Sequence, residues 1–95
     1  MTTALVHPFP RLRSLPVTLP VEGAIRIELQ EGIPIFRASA SVQDRVETLL
    51  RKQRESGLMV KEVKELDRYE EIDDYLSFLN RVVRNLLHAQ QQTKV

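Results

Sequence analysis

The chain has 95 residues, with 14 basic and 13 acidic side chains, a formal net charge of +1 and no cysteine. This length suits one domain, the near-neutral charge excludes a broadly cationic nucleic-acid coat, and the absence of thiols excludes disulfides, cysteine nucleophiles and cysteine-bound zinc. Hydrophobic residues at 42% and charged residues at 28% form a globular balance, and the apolar runs fall far short of the ~20 residues that span a bilayer. The expectation is a cytoplasmic protein without a membrane segment.

Residues 1–20 read as an extended Pro-rich arm, broken by Pro8, Pro10, Pro16 and Pro20 and lacking the continuous apolar core of a signal peptide. Leu15, Val17, Leu19 and Val21 would share one face of an extended chain, and the prolines forbid a helix. Such an arm is either flexible or lays that face on another surface.

Residues 21–88 read as a single domain of a hairpin and two helices. Ile25, Ile27 and Leu29 alternate with Arg26, Glu28 and Gln30, the period of a half-buried strand. Glu31-Gly32 supplies the turn, and Pro34 makes the returning strand an edge strand. A lone hairpin is marginal in water, so it must pack on a helix or pair with another chain.

The next segment predicts a helix with Ser41 as N-cap and Asp44 three residues on in the capping position. Val42, Val46, Leu49 and Leu50 form its apolar stripe, Arg51, Lys52 and Arg54 favour its C-terminal end, and Gly57 closes it. From about Val60 to His88 there is no Pro or Gly and the helical period continues. Ile72, Tyr75, Leu76, Phe78, Leu79, Val82, Val83, Leu86 and Leu87 gather on one side, covering about half the circumference. Lys61 to Glu71 is more polar, with Val63, Leu66 and Tyr69 interrupting the charge. Residues 89–95 read as a frayed polar tail. The predicted fold is mainly α with a small β-hairpin, an α+β arrangement whose short and long helices pair antiparallel across Gly57. The short helix covers only part of the long one, so the remaining apolar band predicts a homodimer or a protein partner.

Catalytic chemistry has no visible constellation. His7 and His88 lie far apart in sequence, without a second ligand at metal spacing, and the three glycines form no phosphate-binding loop. Ser39 and Ser41 lack a nearby base and suit capping. Glu70, Glu71, Asp73 and Asp74 are helical neighbours, but a hard cation wants about six to eight oxygens from converging segments. They read as a solvated face, with Lys64 and Arg68 one turn behind, that can orient a basic partner. No catalytic residue, metal or cofactor is expected.

Arg11 and Arg13 in the arm and Arg26 and Arg37 on the hairpin are candidate nucleic-acid contacts, especially if doubled in a dimer. Glu22, Glu28, Glu31, Glu47 and Glu55 are interspersed through the same half of the chain.

The stretch Arg51-Lys52-Gln53-Arg54-Glu55-Ser56-Gly57-Leu58, followed by Glu62, Glu65-Leu66-Asp67-Arg68-Tyr69-Glu70-Glu71 and Asp73-Asp74-Tyr75-Leu76, resembles small bacterial helical proteins of antitoxin-like type, often encoded beside PIN-domain or HNH nucleases. The shared pattern is a helix ending near Gly-Leu, then an acidic helix running into an apolar one, over residues 42–87. Those proteins usually place Thr-Pro after the Gly-Leu, where this chain has Met59-Val60. The resemblance implies protein binding, with a nuclease toxin as partner, and no active site. The expected function is a non-catalytic protein–protein interaction module, antitoxin-like or a small adaptor. Tyr75, Phe78, Leu79, Val82 and Leu86 would pack on the partner, and Glu70, Glu71, Asp73 and Asp74 would orient it. The alternatives are a dimeric DNA-binding regulator using the hairpin and arm, and a structural subunit of a larger assembly.

Overall fold

The chain reverses at Glu31-Gly32, where both residues take positive φ, 53° and 81°, the type I′ geometry that suits the twist of two strands. The computed structural model describes residues 9–93, with side chains as far as residue 90; His7 and the start of the arm lie outside the described residues. The turn joins β1 (Ile25–Gln30) to β2 (Ile33–Ala38) as an antiparallel hairpin, in register from Ile25↔Ala38 to Gln30↔Ile33. A two-residue turn makes Gln30↔Ile33, Glu28↔Ile35 and Arg26↔Arg37 the hydrogen-bonded pairs. Ile25, Ile27 and Leu29, opposite Ala38, Phe36 and Pro34, then direct their backbone groups away from the partner strand. Pro34 therefore sits where its missing N–H costs the ladder nothing.

Helix α1 (Ala40–Glu55) starts directly after β2. Its N-cap is Ser39, with extended backbone and a hydroxyl accepting from Val42 N at 3.4 Å. Ser41, the expected cap, lies inside the helix, and Asp44 is consequently not in the capping position. The reason is the neighbouring strand: Ser39 N donates to Ala24 O at 2.9 Å, so the extended conformation a cap requires is already imposed at residue 39. The helix ends at Ser56, and Gly57 at φ +88° turns the chain while Ser56 N and Gly57 N both donate to Lys52 O at 2.9 Å.

Helix α2 (Val60–Thr93) has 34 residues, about 51 Å at 1.5 Å per residue, and accounts for most of the 57 Å length of the molecule. It begins without Thr-Pro because Glu62 reaches back, its Oε1 accepting from Met59 N at 2.9 Å, the reciprocal half of a capping box. It continues past His88 to Thr93, so the polar tail is helical that far. Among the described residues no helix is long and apolar enough to cross a membrane.

The two helices run antiparallel, as the ion pairs Lys52–Glu62 and Arg45–Glu65 show, each with a 2.7 Å contact. Val42 and Leu49 from α1 meet Leu66, Tyr69 and Ile72 from α2 to form the core, with Leu49 only 1% exposed. This core therefore uses the charge-rich half of α2, where Leu66 and Tyr69 turn inward and Val63 stays 43% exposed. Beyond the reach of α1 the hairpin takes over. The outer edge of β2 lies along α2, and Asn80 holds both backbone groups of Phe36.

Candidate interaction surface

The apolar band of α2 divides into a covered part and an open part. Phe78 is buried. The Phe9 ring meets it edge-on with centroids 5.0 Å apart, Tyr75 lies 6.4 Å away, and the Arg81 guanidinium sits 5.9 Å from its ring, within cation–π range. Tyr75 shares an apolar pocket with Leu12, Leu15 and Leu19 of the arm. Leu79 and Val82 are half-buried. Leu86 is 61% exposed. Of the five expected anchors, Phe78 is thus consumed by the chain's own arm and Leu86 alone stands fully open. The physical reason is that residues 9–19 fold onto α2 instead of projecting from it.

The arm is held by polar chemistry as well as packing. The Thr18 hydroxyl donates to Glu65 Oε2 at 2.5 Å and lies 2.8 Å from the Tyr69 hydroxyl; with one proton on Thr18 committed to the carboxylate, Tyr69 is the donor of the second bond. Arg13 N donates to Glu71 Oε1 at 3.3 Å, and Pro16 is buried. Leu19 N donates to Pro16 O at 3.1 Å, closing a turn. That turn breaks the extended alternation expected at Leu15, Val17, Leu19 and Val21. Leu19 packs on the core, while Val17 and Val21 are exposed.

Glu65 is the centre of this cluster. Its carboxylate accepts from Arg45 Nε at 2.7 Å and Nη2 at 2.8 Å, a bidentate pair, and its side chain is 11% exposed. The Arg45 hydrogen bonds hold its pKa below the usual carboxylate range, against the opposing effect of burial, and raise that of Arg45. Glu62 is likewise lowered, first by Lys52 and then by Met59 N. An opening of about 470 Å³ borders the cluster, with Thr18, Arg45, Glu62 and Glu65 in its lining. The bonds from Arg45 and Thr18 to Glu65 and from Lys52 to Glu62 tie α1 and the arm to α2, so the cluster acts as a structural clasp.

The expected acidic face is split. Glu71 accepts from the arm, Asp74 is exposed, and Glu70 and Asp73 line a groove of about 340 Å³ between α1 and α2. Val42, Val46, Leu50, Ile72 and Leu76 make the apolar floor, and Glu47 joins Glu70 and Asp73 at the polar margin. Among the described residues these three acids make no ion pair with the chain; Lys64 and Arg68 do not neutralise them. No group of three His, Asp or Glu side chains among the described residues is placed to hold a metal.

On the hairpin, Arg26 and Arg37 stand opposite one another and share a single carboxylate, Glu28, at 3.0 and 2.8 Å. Neither is a free cation for a phosphate. Arg11 and Arg13 are exposed in the arm. On the opposite face Ile25, Ile27 and Leu29 are 41%, 62% and 73% exposed. The half-buried strand expected from their alternation is therefore corrected: α2 meets the hairpin along the edge of β2, and the apolar side of β1 remains open.

Thr18, Glu65, Glu47 and Asn80 were not legible as key residues. Asn80 left one trace, a poor helix former set between Leu79 and Val82 in an otherwise apolar band. No protein-family model, no curated protein and no solved structure matches this chain.

Proposed function

We propose that the protein is a non-catalytic protein–protein interaction module whose groove between α1 and α2 receives a basic segment of a partner carrying an apolar anchor. One observation carries this reading: an apolar floor flanked by Glu47, Glu70 and Asp73, none of them ion-paired among the described residues. An apolar side chain seated on Val46, Leu50 and Leu76 would supply binding energy. The three carboxylates would steer a cationic partner and fix its orientation, as charges at the margin of an interface do. In the antitoxin-like reading, that segment belongs to a nuclease.

The reading is tested by titrating a model amphipathic peptide with lysines flanking a leucine and following methyl resonances by NMR. Shifts should concentrate at Val46, Leu50 and Leu76, weaken with salt, and vanish when Glu47, Glu70 and Asp73 are reversed to lysine. Shifts spread elsewhere, or unchanged after charge reversal, would remove the groove as the site.

A further inference from the structure

The hairpin has two outer edges, and among the described residues only one is covered. Asn80 closes the edge of β2 at Phe36, where its Nδ2 donates to the carbonyl at 3.0 Å and its Oδ1 accepts from the N–H at 2.8 Å. The edge of β1 has no such cover among the described residues. The backbone groups of Ile25, Ile27 and Leu29 point outward from the ladder, and among the described residues no hydrogen bond from another segment engages them. This strand carries no proline, bulge or lysine, the usual devices that stop an open edge from pairing.

The sequence of that edge is complementary to itself. Ile25-Arg26-Ile27-Glu28-Leu29 reads apolar, cation, apolar, anion, apolar about Ile27. Laid antiparallel on a second copy with Ile27 opposite Ile27, each Arg26 faces a Glu28 and each Ile25 faces a Leu29. The outward backbone groups of residues 25, 27 and 29 then become the hydrogen-bonded positions of the new ladder. Backbone parity, apolar pairing and charge pairing all select this one register. A shift by one residue would put the apolar side chains on the charged face.

The intrachain electrostatics argue the same way. Arg26 and Arg37 are like charges directly across the hairpin, with one carboxylate between them. In the paired state each Arg26 gains the second copy's carboxylate at the directly opposite position, the favourable arrangement for cross-strand charges.

We propose that the occupant of the β1 edge is a second copy of this chain, forming a two-fold symmetric four-stranded sheet of order β2-β1-β1-β2 centred on Ile27. The contact is isologous, so it closes at two copies and leaves no free β1 edge. It does not depend on the groove between the helices, which lies on α1 and the first half of α2.

Charge-swap variants test both the pairing and its register, by light scattering coupled to size exclusion and by native mass spectrometry. The wild-type chain of 11.0 kDa should run at twice that mass. Arg26→Glu alone sets two acids opposite two acids, and Glu28→Arg alone sets bases opposite bases. Each should weaken self-association by about 10-fold or more. Mixed together, these two variants should form a dimer containing one of each. The double swap Arg26→Glu with Glu28→Arg should pair with itself and not with the wild type. Ile27→Pro, which removes only an outward N–H, should give a monomer with unchanged helical circular dichroism. A wild-type monomer at high micromolar concentration overturns the proposal. So does a dimer that tolerates either single swap or Ile27→Pro, or a failure of the two single variants to pair together.

Discussion

The carboxamide of Asn80 occupies both backbone groups of Phe36, accepting from its N–H at 2.8 Å and donating to its carbonyl at 3.0 Å. A single side chain on α2 thus acts on the edge of β2 as a neighbouring strand would, and it fixes the hairpin to the helix. Removing it by Asn80→Ala leaves a half-buried N–H and C=O without partners. Urea denaturation should show a loss of about 1–3 kcal/mol. Hydrogen exchange at Phe36 N–H should accelerate at the same time.

The clasp around Glu65 makes a prediction about acid. Its folded pKa is depressed, chiefly by Arg45, so its contribution is fully present above the unfolded value of about 4.3 and is lost as pH falls through the lower folded value. Glu62, depressed by Lys52, acts in the same direction. Thermal melts should therefore hold steady from neutrality to about pH 5 and fall steeply below. Glu65→Gln should lower stability at neutral pH and flatten the acid limb. An acid limb of unchanged steepness in Glu65→Gln would show that other carboxylates control it.

Thr18 ties the arm to that clasp, so Thr18→Val should cost about 1 kcal/mol for the lost hydrogen bonds. Exchange should quicken in residues 13–19 while α1 keeps its protection. Tyr69→Phe removes one of the same bonds. A double-mutant cycle between positions 18 and 69 should reveal coupling because the two hydroxyls share one bond.

Phe78 and Leu86 provide a direct contrast on α2. Phe78→Asp buries a carboxylate beneath Phe9 and Tyr75 and should destabilise the fold by more than about 3 kcal/mol. Leu86→Asp alters a side chain that is 61% exposed and should change stability by less than about 0.5 kcal/mol. Chemical denaturation of the two variants separates them.

Local chemistry was readable along the chain wherever it acts over a few residues. Glu31-Gly32 had to turn because a two-residue link between alternating strands favours positive φ, and Gly57 could end α1 for a related reason. Absence of Pro and Gly after Val60 was enough to predict a long helix. The hairpin followed by an antiparallel short and long helix, an α+β fold, is therefore legible in the sequence. What periodicity could not say was which apolar face would be covered. Phe78 and Leu86 belong to the same helical band, yet one meets Phe9, 69 positions earlier, and the other stays 61% exposed. Ile25, Ile27 and Leu29 alternate as a buried strand does, and they are exposed because α2 takes the far edge of the hairpin. Ser39 and Ser41 are chemically equal caps, and the strand that ends at Ala38 selects the first. In each case sequence sets sidedness through backbone geometry, while burial depends on the element that arrives opposite. Only the tertiary structure supplies that neighbour.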